Sequence, residues 1–131
     1  MARAMYCWLR DRIGDQGIEA VLSQHWKPER DEYGWTIDAS PEQCVWVENG
    51  NEDIDTCPDS MIKGAARALG NPLLKPRSRV VLLFDDDDQD VARNCAWCVA
   101  QAFGSRWPAV LDDVAGRMWR MGQLSPRVIN Y

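Results

Sequence analysis

The run Val80-Val81-Leu82-Leu83-Phe84 restricts this chain's fold more than any other segment. Five consecutive apolar residues without alternation read as a central strand covered on both faces. Arg79 precedes the run, and Asp85, Asp86, Asp87, Asp88 and Asp90 follow it. A third helix is therefore expected to begin within the Asp run and end near Phe103, with Gly104 as its stop. Val91, Ala92, Cys95, Cys98, Val99, Ala102 and Phe103 would share its apolar face at 100° per residue.

The other elements fall on either side of this strand–helix unit. Met5 to Leu9 reads as a strand, and Asp15 can cap a helix running to about Trp26, ended by Pro28. Ile18, Val21, Leu22, His25 and Trp26 would lie on its apolar side. Trp35 to Asp38 and Cys44 to Glu48 read as strands joined through Ser40-Pro41. Thr56-x-x-Asp59 resembles a capping box for a helix to about Leu69, closed by Gly70 and Pro72. Ala109 to Asp112 and Arg117 to Met121 form a closing hairpin. The order β-α-β-β-α-β-α-β-β predicts an α+β fold. It would be a single domain over 1–131, with about six strands in a mixed or antiparallel sheet and about three helices mainly on one side.

With 131 residues, 46% apolar and 27% charged, the composition is that of a folded soluble domain. No apolar run is long enough to span a bilayer. Five cysteines cannot all pair, so the expected setting is reducing and cytoplasmic. The net charge of −5 is laid down in blocks. Asp31 to Ser60 holds nine acids and no Lys or Arg, whereas Met61 to Phe84 holds five bases and no acid. Such segregation steers cationic partners and disfavours direct binding to nucleic-acid phosphates.

Candidate chemistry is thin. Cys95 and Cys98 have redox or half-zinc spacing, but a structural zinc site needs four ligands, and His25 is the sole histidine. Placed well inside a helix on its apolar face, the two cysteines read as buried and inert. Asp85 and Asp87 have the Asp-x-Asp spacing that haloacid-dehalogenase-type phosphatases use. Gln89 stands where that pattern has Thr or Ser, so a magnesium-dependent phosphatase or nuclease is an alternative rather than the leading reading. No resident metal or cofactor is expected. No G-x-S-x-G, G-x-G-x-x-G or Walker sequence occurs.

Seven tryptophans are unusual for this length. Trp97 falls with Arg93, Asn94 and Gln101 opposite the apolar stripe of the third helix, where an exposed aromatic can anchor a partner. The expected partner surface is therefore Asp85, Asp86, Asp87, Asp88 and Asp90 with Arg93, Trp97 and Gln101. A competing surface comprises Glu48, Glu52, Asp53 and Asp55, in the loop after a strand.

From Arg79 to Met121 an apolar strand, an acidic cap and an Ala-rich helix lead into Trp107-Pro108-Ala109-Val110-Leu111-Asp112-Asp113, then Gly116 and Trp119. This third of the chain resembles small immunity proteins of bacterial polymorphic-toxin systems. The resemblance implies a noncatalytic protein that binds and blocks a cognate toxin, commonly a nucleic-acid-directed enzyme. Charge in blocks and excess tryptophan also fit a phage anti-defence protein that mimics nucleic acid. No membrane contact is expected on either reading.

Overall fold

Alternation along the first strand sets up two layers. β1 (Ala2–Leu9) turns Met5, Cys7 and Leu9 to one face of the sheet and Tyr6 and Trp8 to the other. In the computed structural model, which describes residues 2–70, 73, 75–85, 89–113, 115–121 and 127–128, both faces carry a buried cluster. The fold is α+β, built on one sheet.

The sheet order is β2-β3-β4-β5-β1-β6-β7-β8, and all its pairings are antiparallel. The other strands are β2 (Glu29–Arg30), β3 (Trp35–Asp38), β4 (Cys44–Asn49), β5 (Ser78–Asp85), β6 (Ala109–Asp112), β7 (Met118–Arg120) and β8 (Arg127–Val128). β5 and β1 lie at the centre, paired over eight residues from Ala2 opposite Asp85 to Leu9 opposite Ser78. β5 is thus central, as its apolar run predicts, but the expected cover on both faces is incomplete, because Leu83 is not buried. The two-residue strands β2 and β8 extend the edges and were not readable from periodicity, since two residues carry none.

Helices α1 (Asp15–His25) and α3 (Val91–Gly104) cover the face of Met5, Cys7 and Leu9. They pack Ile18, Val21, Leu22, Ala96, Val99 and Phe103 onto Val45, Val47, Val80, Leu82, Phe84 and Leu111. Helix α2 (Asp59–Ala68) covers part of the opposite face, where Ile62, Ala65 and Ala68 meet Trp8, Val110 and Met118. A 3-10 segment at Asn51–Thr56 adds Ile54 to that cluster. Among the described residues no helix is long and apolar enough to cross a membrane.

Local details correct several expectations. Asp15 does not cap α1: Gly14 is the N-cap, and the Asp15 carboxylate accepts from Arg30 at 2.7 Å and Asn49 at 2.8 Å. No capping box forms at Thr56, because the 3-10 segment holds it and its hydroxyl donates to the Asp53 carbonyl. α3 begins at Val91, after the Asp run. Its first turn is served by Gln43 from the β3–β4 turn, whose Oε1 accepts from the Ala92 N–H at 3.1 Å. His25 is exposed rather than on the buried side of α1. Ala96 and Ala100 fill the centre of the α3 stripe, leaving Cys98 exposed and Cys95 half-buried. The buried face is thus rotated toward small alanines, which periodicity weights lightly.

Candidate binding face

The two helical layers are unequal. On β4, Val45 and Val47 point to the α1/α3 layer, which turns Cys44, Trp46 and Glu48 to the other face. On β5, Val80, Leu82 and Phe84 do the same, leaving Val81, Leu83 and Asp85 opposite. The α2 layer lies over β1, β6 and β7, and the buried cluster beneath it includes no residue of β3, β4 or β5. Among the described residues, no helix therefore lies over the part of this face around Trp46 and Leu83.

Thr36, Trp46, Leu83 and Ala4 form one cross-strand row there, on β3, β4, β5 and β1. Trp46 is 37% exposed, and Leu83 is the one residue of the Val80–Phe84 run that is not buried. Acids bracket the row. Glu48 stands opposite Val81, and Asp38 opposite Cys44. Asp85 follows Leu83 by two positions and so shares its face. The Cys44 thiol is pushed up by burial first, then by Asp38 and Asp85, which places both carboxylates near it. Among the described residues no ion pair reaches Glu48, Asp38 or Asp85.

The β2–β3 turn walls this face. Asp31 Oδ1 accepts from the Tyr33 N–H at 2.8 Å and the Gly34 N–H at 3.0 Å, fixing the turn and leaving Tyr33 73% exposed at its tip. Gly34 lies flush on β4, where a Cβ would stand 2.1 Å from the Val47 carbonyl oxygen. A groove of about 230 Å³ runs between Tyr33, Trp46, Leu83 and Glu48. Behind the turn, Asp15, Arg30, Asp31, Asn51 and Glu52 line a polar cleft of about 310 Å³. Its Arg30 guanidinium lies 5.0 Å from the Trp35 ring.

The residues expected to form the partner surface are dispersed. Asp86, Asp87 and Asp88 lie outside the described residues. Asp85 faces the open half of the sheet, whereas Trp97 sits on α3, against the other face. Trp97 is half-buried and packs edge-to-face on Trp119, 5.1 Å between ring centroids, instead of standing free. Asp90 takes a left-handed conformation at φ 56° and lies 3.8 Å from Arg93; Gln101 is half-buried. In the competing group, Glu48 belongs to the open face and Glu52 to the polar cleft, while Asp53 and Asp55 are exposed on the 3-10 segment. Trp46 and Leu83 were missed. The alternation Cys44-Val45-Trp46-Val47-Glu48 already puts Trp46 and Glu48 on one side; it does not tell which side is covered.

Among the described residues no group of three or more His, Cys, Asp or Glu side chains could hold a metal ion. Burial raises the Cys95 thiol to about 11, with Cys98 adding to the shift. This is opposite to the activation a redox pair requires. No family model matches the chain, and no curated protein or solved structure matches it either.

Proposed function

We propose that this chain is a noncatalytic acidic binding protein that neutralises a cognate bacterial toxin, a nucleic-acid-directed enzyme, by direct contact. The observation that carries this reading is the uncovered half-sheet, where Trp46 and Leu83 lie among Glu48, Asp38 and Asp85. An aromatic anchor within a ring of like charge suits a protein partner with a basic site. An enzyme that acts on nucleic acid must present such a site to bind phosphates. Occupying it with carboxylates would block substrate without any chemistry by the inhibitor.

The test begins with capture of the partner from the native host and proceeds to kinetics with the purified pair. Trp46→Ala should weaken binding by about 2 kcal/mol or more, roughly thirtyfold in Kd, mostly through faster dissociation. Glu48→Gln combined with Asp38→Asn should slow association and flatten its salt dependence. Wild-type affinity in both folded variants would remove the half-sheet from the interface. A captured partner with no action on nucleic acid would instead refute the toxin assignment.

A further inference from the structure

Where the 3-10 segment lies against β5, the same face holds a charge that its surroundings compensate poorly. Arg79, at the second position of β5, is only 8% exposed. Its guanidinium packs against Tyr6 and Trp8, 5.1 Å and 5.7 Å from the ring centroids. Gly50 closes the remaining side: a Cβ there would stand 2.8 Å from Arg79 Nε. The nearest carboxylate, Asp53, is 4.0 Å from Nη2, and its side chain is 72% exposed, where water screens it. Arg79 Nε is buried with no hydrogen-bond partner. A buried cation held mainly by π faces and a screened acid lacks a close counter-charge.

The atom placed to supply one is sulfur. Arg79 Nη1 donates to Cys57 Sγ at 3.0 Å. Cys57 closes the 3-10 segment, its backbone N–H donating to the Ile54 carbonyl and its thiol donating to the Asp53 carbonyl at 3.3 Å. It is half-buried, so a small molecule can reach it. The other cysteines differ. Cys7 is fully buried, and Cys44 lies beside two carboxylates. Cys95 and Cys98 have no cationic hydrogen-bond donor among the described residues.

We infer that Cys57 is an oxidation-responsive modification site, with Arg79 as its positioning residue and a hydroperoxide as the oxidant. After the thiol proton passes to solvent, sulfur attacks one oxygen of the peroxide. The S–O bond forms as the O–O bond breaks, and the leaving hydroxide (alkoxide from an organic hydroperoxide) takes up a proton to become water or an alcohol. Sulfur loses two electrons and the peroxide gains them, giving a sulfenic acid. A second peroxide equivalent gives the sulfinate in the same way, a lasting anion beside the guanidinium. Oxidation thus supplies the counter-charge that the reduced protein lacks.

The experiment treats native protein with a few equivalents of hydrogen peroxide, traps sulfenic acid with a cyclic diketone and maps adducts by mass spectrometry. Cys57 should be modified first, at least about tenfold faster than the more exposed Cys98. Arg79→Met removes the charge while keeping an apolar stem, and should bring the Cys57 rate down to that of Cys98. If that variant does not fold, the wild-type order decides alone. Modification of Cys98 at an equal or greater rate in wild-type protein overturns the inference. So does an unchanged Cys57 rate in folded Arg79→Met.

Discussion

Asp112 should make the protein less stable as pH rises, and replacing it with Asn should remove that contribution. It is the last residue of β6, standing opposite Tyr6 on β1 and Met118 on β7, and is only 9% exposed. Burial, with Asp113 adding to it, pushes its carboxyl up to about 6 from 3.8. The folded state therefore holds this proton more tightly than the unfolded state does. Its favourable contribution is complete below about pH 3.8, is lost as pH rises through about 6, and stays lost above. Roughly two units at ~1.4 kcal/mol each set a ceiling of about 3 kcal/mol for the penalty at neutral pH. Asp112→Asn cannot ionise, so it should be more stable than wild type at pH 7, by ~1–3 kcal/mol. At pH 3.5 the two should be equal. Urea unfolding followed by tryptophan fluorescence at several pH values supplies the difference curve, in which the other acids cancel. A gap independent of pH, or a variant less stable at pH 7, would refute the reasoning.

Three further outcomes are expected. Leu82→Asp places a charge in the central strand's fully buried side and should unfold the protein, a loss of several kcal/mol visible as the absence of a cooperative thermal transition. Gly34→Ala drives a Cβ into the Val47 carbonyl and should cost ~1–3 kcal/mol, with amide exchange of Trp35 to Asp38 accelerating before that of β5. Gln43→Ala leaves the Ala92 N–H without its acceptor and should cost about 1 kcal/mol in denaturant unfolding, with no change in the slope of the transition.

The central layer was legible because its signals are local. Five apolar residues in a row cannot be satisfied at an edge, and β5 is central; Gly70, at φ 86°, ends α2 as its position after the periodic stretch implies. What stayed hidden depends on long-range partners. Gln43 serves α3 across a turn that carries no trace of the helix it supports. Asp15 looked like a cap because acids suit that position, yet Arg30 and Asn49 compete for it from other strands. Trp97 does not keep its expected exposure because Trp119 returns on β7 to pack against it, while Trp46, for which the sequence carried no expectation, is 37% exposed. Alternation sorts residues between faces, while coverage belongs to the whole fold.

The position of β1 between β5 and β6 has a kinetic consequence. Of the strands in this sheet β1 precedes the rest, and it waits longest, since Met5 finds Leu82, and Cys7 finds Leu111, only once those distant segments have been made. Closing such loops is entropically costly, so folding should be slow for a protein of this size and dominated by a late step. Until then β1 offers two unpaired edges and the apolar sequence Met5-Tyr6-Cys7-Trp8-Leu9 to any neighbouring chain. A nascent-chain chaperone that shields those residues would raise the yield of native protein without altering its final stability.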